Sequence, residues 1–295
     1  MSTTAENHVT IRSAGLAAAI DPQGAELVSL RDADGRELMT DADPAFWSGH
    51  APLLFPVVGK PAGETIRIDG RAYPMKQHGF ARRRTFAVVE HAGDRAVFRL
   101  EDDAETRAAY PFAFRLDVEY SMAGAALTVA VTIANPADAP LPASFGFHPA
   151  FAWPLPYGAP REDHRIVFAA QEPDTLRRLG ASGTILADRR ASPLDGDTLH
   201  LSDSLFTDDA LIWDAVRSRS VRYGAPGTPQ LEIAFDAPML GIWTKPGACF
   251  VCIEPWHGIA DPEGYAGGYA DKPGVFTIAP GGEKRIVMTV SLLPT

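Results

Sequence analysis

Phe114-Arg115-Leu116-Asp117-Val118-Glu119-Tyr120 sets Phe114, Leu116, Val118 and Tyr120 on one face of an extended chain and Arg115, Asp117 and Glu119 on the other. This period of two is the pattern of a strand buried on one side only. Leu127-Thr128-Val129-Ala130-Val131-Thr132-Ile133 repeats it a few residues later. Met122-Ala123-Gly124-Ala125 lies between them, with a glycine where a tight turn needs one. The pair reads as an antiparallel hairpin.

The same reading extends outward in both directions. Residues 86–91 and 96–100 form a second hairpin about Gly93-Asp94. Residues 8–13, 17–21, 26–31 and 37–39 read as a meander, with turns at Pro22-Gln23-Gly24 and Asp34-Gly35. Further strands are expected at 165–169, 211–214, 220–223, 231–235, 241–244, 250–254 and 285–292. Helical patterning is confined to one or two turns at 102–109, ended by Pro111. No alternation of strands with helices occurs, which argues against a parallel doubly wound sheet, and no repeat of 20–50 residues marks a propeller or solenoid. Proline-rich 153–161 and the Gly- and Tyr-rich 262–273 are long loops, which in a β domain usually serve function. The expected fold is all-β: one domain over 1–295, a large antiparallel β-sandwich.

Composition agrees. Gly 26 and Pro 25 are together about 17% of the 295 residues, the mark of a chain with many turns. With 46% hydrophobic and 22% charged residues the chain is neither disordered nor fibrous. The formal charge of −10 opposes a nucleic acid or an anionic membrane as partner, since both need a basic footprint. Residues 1–7 are polar and carry no signal-peptide apolar core, and no apolar run approaches a membrane span. With two cysteines and no such signal, a cytoplasmic protein is expected. Cys249 and Cys252 have redox-motif spacing but no helix follows to lower a thiol pKa, so they read as ordinary strand cysteines.

Three segments place polar residues in apolar, Pro- and Gly-rich surroundings. The first is Gln77-His78-Gly79-Phe80-Ala81-Arg82. In the second, Ser144-Phe145-Gly146-Phe147-His148-Pro149-Ala150-Phe151, a strand would point Ser144, Gly146 and His148 to one face and both phenylalanines to the core. Pro149 would end the ladder just after the histidine. The third is Cys252-Ile253-Glu254-Pro255-Trp256-His257-Gly258, where Trp256 offers a flat face for stacking on a sugar ring. Two histidines and a glutamate also have the chemistry to ligate zinc or iron, but none lies at local ligand spacing.

At these residues the sequence resembles the aldose 1-epimerase (galactose mutarotase) superfamily, nearest its LacX-like bacterial branch. The resemblance rests on Pro52-Leu53-Leu54-Phe55-Pro56-Val57-Val58-Gly59, His78-Gly79-Phe80-Ala81-Arg82, Tyr110-Pro111-Phe112, Phe145-Gly146-Phe147-His148-Pro149-Ala150-Phe151 and Cys252-Ile253-Glu254-Pro255-Trp256-His257-Gly258-Ile259-Ala260-Asp261. They run in the family's order and span about 10–293. The resemblance implies a β-supersandwich with its site in a groove on one face. It implies His148 as general acid at the ring oxygen, Glu254 as general base at the anomeric hydroxyl and His78 as a hydrogen-bonding partner. It further implies a sugar-binding aspartate, matched by Asp209 with Asp208 as its neighbour. Arg82 is a candidate for a sugar hydroxyl. Where many relatives have another residue, His257 precedes the glycine, and the family's asparagine-arginine segment is replaced by 52–60.

The residue types suit that chemistry in their own right. Interconverting α and β anomers opens a hemiacetal, so one group takes the proton of O1 while another protonates the ring oxygen. Each positioned proton transfer contributes about 10²–10⁴-fold. No metal or organic cofactor is needed. The expected function is therefore a hexose 1-epimerase, with acid and base set about one sugar ring's breadth apart. A hexose 6-phosphate 1-epimerase is the rival within the fold. It would need a basic cluster, for which Arg82, Arg83 and Arg84 are candidates spread over both faces if that stretch is a strand. A non-catalytic sugar-binding protein is the rival outside it. A monomer or homodimer is expected.

Overall fold

A computed structural model describes residues 8–295; the polar segment 1–7 lies outside the described residues. The opening stretch forms the strand Arg115–Ala123, paired antiparallel with Ala126–Ala134 in the register Tyr120↔Val129. Gly124, at φ 59, supplies the left-handed conformation of the two-residue turn. The hairpin sits inside a nine-stranded antiparallel sheet. Ala126–Ala134 pairs on its other side with the long strand Glu283–Leu293, so the chain's two ends of the sheet meet at its centre.

A second sheet is built around Phe250–His257. Met239–Trp243 flanks this strand on one side, and the short strands Phe145–Phe147 and Ala150–Ala152 share the other. Leu211–Trp213 and Leu53–Leu54 complete it. Strand periodicity divides its side chains. Val251, Ile253, Leu240 and Ile242 point inward and share one apolar cluster with Leu127, Val129, Val131 and Ile133 of the larger sheet. Cys252, Glu254 and Trp256 therefore point outward. A one-residue slip would expose the inward set, at roughly 1.5–3 kcal/mol for each Val, Leu or Ile. The core thus fixes the register, and the register fixes which face carries Glu254.

The expected strands are present with ends shifted by at most three residues, with one exception. Residues 37–39 form only isolated bridges. The Glu37 carboxylate accepts bonds from the Leu30 and Met39 N–H groups and from Ser29, which satisfies the backbone without a ladder. The helix Ala104–Ala109 is capped by Asp103. Arg82 and Arg83 fall in a 3₁₀ turn, Ala81–Arg83, rather than on a strand. Both cysteines are free; Cys252 is buried in the strand and Cys249 is exposed before it. Among the described residues no helix is long and apolar enough to cross a membrane.

Candidate active site

Register brings the site together. Gly146 faces Trp256 and Ala150 faces Cys252 across the sheet, so His148, midway between, falls opposite Glu254. Proline at 149 cannot donate to a ladder, and pairing is broken there, resuming at Ala150. The ladder is therefore interrupted after the histidine rather than ended, and the site lies on the sheet's outer face rather than at its end. Phe145 and Phe147 anchor inward, their rings edge-on at 5.0 Å.

His148 Nε2 and Glu254 Oε2 are 3.1 Å apart. No sugar ring fits between them, so the expected ring-wide gap is corrected: directly opposed residues of antiparallel strands have Cβ atoms only about 4.5–5.5 Å apart. Glu254 is 1% exposed and His148 8%. Burial drives Glu254 well above the usual carboxylate range, helped by the charge of Asp209, while Trp256 opposes the rise. Burial pushes His148 down. Each group is thus held toward its neutral form.

Trp256 lies in a slot made by two glycines. A Cβ on Gly241 would stand 2.4 Å from its ring, and one on Gly146 2.6 Å from it. The indole is 6% exposed and forms floor. The half-buried walls are Trp47 and Trp243, with ring centroids 5.1 Å and 6.0 Å from that of His148. The sequence motifs single out neither tryptophan. Trp243 carried a signal, since it precedes Thr244 at the end of an alternating strand; Trp47, in a turn-rich stretch, carried none.

His78 comes from a different part of the chain, and its ring centroid is 5.7 Å from that of His148. Its backbone is left-handed, at φ 64, next to Gly79 at φ 71. The glycine is required, because a Cβ there would lie 2.1 Å from the Phe55 carbonyl oxygen. The His78 N–H donates to the Gly59 carbonyl, and the Gly59 N–H donates to Nδ1 of His78 at 3.2 Å. Nδ1 is thereby an acceptor, which assigns the proton of the neutral ring to Nε2, 3.2 Å from the side-chain amide of Gln77. Burial, reinforced by His148 and nearby cations, pushes the His78 pKa well down. His78 is therefore a neutral donor rather than an acid.

These groups line a cavity of about 280 Å³ together with Lys60, Gln77, Arg82 and Asp209. A groove of about 1130 Å³ shares Trp47, Asp209 and Trp243 with it as lining. Asp209 borders both spaces and Asp208 only the groove. Asp209 is at φ 69, a conformation aspartate tolerates better than most residues, and its Oδ1 accepts from the Ala210 N–H. The three arginines separate. Arg82 reaches the cavity, Arg83 donates to the Gly79 carbonyl, and Arg84 pairs with Asp103 and Glu105. The loop after Trp256 is held by a buried ion pair, Lys272 Nζ to Asp261 Oδ1 at 2.9 Å, and Asp261 also accepts from the Ala62 N–H.

Large stacked antiparallel sheets of this kind make up the galactose mutarotase-like fold. The chain belongs to the aldose 1-epimerase family, whose sequence model matches residues 7–262. It is 30% identical over 273 residues to the chromosomal protein LacX of Lactococcus lactis, covering 87% of this chain and 90% of that protein. The structure of a galactose mutarotase related enzyme from Lactobacillus acidophilus has a TM-score of 0.91 at 32% identity, with 98% of each chain covered. That of a galactose mutarotase-like protein from Lactobacillus casei also has a TM-score of 0.91, at 29% identity, covering 97% of this chain and all of the other.

Proposed function

We propose that the protein interconverts the α and β anomers of a free hexose, with Glu254 as base and His148 as acid. The observation that carries this reading is the 3.1 Å contact between two buried groups on a cavity floor. The anomeric hydroxyl and the ring oxygen are bonded to the same carbon. An acid and a base side by side can therefore serve both, with the sugar laid across the pair. Glu254 takes the proton of O1, imidazolium His148 gives one to the ring oxygen, and the C1–O5 bond opens to an aldehyde. Rotation about C1–C2 presents the other carbonyl face, and the reverse transfers close the ring. The short contact lets one proton move between carboxyl and imidazole, so the working charge state forms without exchange with water. His78 Nε2–H and Arg82 donate to sugar oxygens, Asp209 accepts from a hydroxyl, and Trp47, Trp243 and Trp256 supply apolar faces.

The steps balance with proton transfer alone. The residue set also opposes a purely binding role, since holding a sugar does not require the cost of burying an ionisable carboxyl against an imidazole. The reading extends to a cytoplasmic enzyme working as one unit, monomer or homodimer.

Arg82 and Lys60 favour a second reading, on hexose 6-phosphates. Both line the cavity, and neither has a carboxylate partner within ion-pair distance among the described residues. Burial lowers the Arg82 pKa to about 10, which still leaves it a cation. Anomer exchange of freshly dissolved glucose and galactose, followed by NMR and repeated with their 6-phosphates, separates the two. Faster exchange of the free sugars is expected. A specificity constant far larger for the phosphates and abolished by Arg82→Ala would transfer the function to them. No acceleration of any aldose would remove the enzyme reading.

A further inference from the structure

Behind the catalytic pair lies a residue the mechanism does not use. Cys252 is two positions before Glu254 on the same strand, so both side chains leave the same face. His148 reaches that face from the neighbouring chain segment. One donor atom from each of His148, Cys252 and Glu254 lies within 4.8 Å of the other two, and all three residues are buried. Glu254 Oε2, the oxygen 3.1 Å from His148 Nε2, makes no well-formed hydrogen bond among the described residues although it is sealed from solvent, and Nδ1 of His148 is likewise unpartnered. Such an orphaned buried acceptor is costly, and its cost is relieved by a cation.

We propose that His148 Nε2, Cys252 Sγ and the Glu254 carboxylate form a site for one thiophilic divalent cation of the zinc class. The donor set, imidazole with thiolate and carboxylate, is one zinc takes, and three protein ligands leave a fourth position open. Zinc bonds of about 2.0–2.3 Å arranged tetrahedrally put the donors roughly 3.3–3.8 Å apart. The 3.1 Å His–Glu spacing is close to that, and the thiol must close by about 1 Å. Calcium and magnesium fit poorly, since they take shells of oxygens. His148 and Glu254 border the cavity, while Trp47, Trp243, Ala150 and Phe250 form an apolar wall around the thiol. On binding, the Cys252 thiol and any protonated carboxyl of Glu254 release their protons to water; three metal–ligand bonds form and no electrons move. Burial holds the metal-free thiol well above its ordinary pKa, so without a cation it is an inert thiol.

A cation here occupies the lone pairs that the proposed proton transfers need. Inhibition of catalysis by zinc rests on that reading; the binding itself does not. The test uses Co²⁺ and Zn²⁺ on chelator-treated full-length protein. Co²⁺ should give a thiolate-to-cobalt absorption band in the near ultraviolet at one ion per chain, and Zn²⁺ should erase it. Cys252→Ser and Cys252→Ala should lose the band and bind Zn²⁺ at least tenfold more weakly, while keeping their circular dichroism. Cys249→Ser should keep the band. Absence of a band, or its loss in Cys249→Ser with retention in a folded Cys252 variant, would overturn the site. A Cys252-dependent band in a protein that accelerates no anomer exchange would leave the site standing and remove the catalytic reading alone.

Discussion

At the scale of single residues, three ionisable groups share the cavity floor but are assigned different work by their surroundings. His78 is fixed as a neutral Nε2–H donor because the Gly59 N–H occupies its other nitrogen. His148 has Glu254 rather than a backbone amide at Nε2, so it alone is free to carry a proton to substrate. Among the described residues Glu254 has no backbone or arginine donor to hold it ionised, and burial raises its pKa. A carboxyl in that state is a stronger base once it is deprotonated. Glu254→Gln keeps the shape and removes the base. It should lower kcat for anomer exchange by about 10²–10⁴-fold with little change in KM, measured by NMR at saturating sugar. A variant retaining half of the wild-type kcat would place the base on another residue.

At the scale of elements, the site depends on how tightly two strands are allowed to approach a tryptophan. Gly241 and Gly146 stand on either side of Trp256, and neither has room for a side chain. Gly241→Ala should therefore push the indole and the strand beneath Glu254. Overpacking of this kind costs about 1–3 kcal/mol. A lower melting temperature and a reduced kcat/KM are expected together, whereas Gly93→Ala, where a Cβ meets nothing, should change neither. Wild-type melting and activity in Gly241→Ala would refute the slot. Much of this level was legible in the sequence. Alternation identified the strands, and the alternation of Phe145, Gly146, Phe147 and His148 told which face the histidine takes. What period cannot tell is which strands are neighbours. Pairing of 145–147 with 250–257 is a contact over more than a hundred residues, decided by packing of the core. Without that register the His–Glu distance could not be read, and a ring-wide gap stood in for the observed contact. The residues of irregular backbone were harder still. The 3₁₀ turn at Ala81–Arg83 follows from the tight turn at His78-Gly79, and Trp47 and Lys60 reach the cavity from segments with no period at all.

At the scale of the whole molecule, the site's burial enters the folding equilibrium through protons. His78, His148 and His164 all have pKa values lowered first of all by burial. For His164 the cause is visible in its bonds: the Leu155 N–H donates to Nε2, while Nδ1 faces the Pro160 carbonyl, a pairing that only the neutral ring satisfies. Below about pH 6.5 the unfolded chain therefore binds more protons at these histidines than the native one, and stability falls as pH falls. Glu254 has the opposite sign. Its native pKa lies above the unfolded value of about 4.3, so the native state binds the extra proton and stability falls as pH rises from about 4.3 through the raised value. Each net proton changes stability by about 1.4 kcal/mol per pH unit, and three histidines outweigh one carboxyl, so the protein should melt at lower temperature at pH 5 than at pH 7.5. Glu254→Gln isolates the opposing component, because glutamine cannot ionise. Near pH 4 the carboxyl is mostly protonated both folded and unfolded, and the variant should melt close to the wild type. As pH rises toward 7 the wild type bears the cost of keeping Glu254 neutral while its unfolded chain ionises, and the variant does not. The melting temperature of the variant should thus exceed that of the wild type by a margin that widens with pH. A thermal-shift series at constant ionic strength measures it. A margin independent of pH, or one that shrinks toward neutrality, would mean that Glu254 is held ionised in the native state, as an ion pair with a protonated His148.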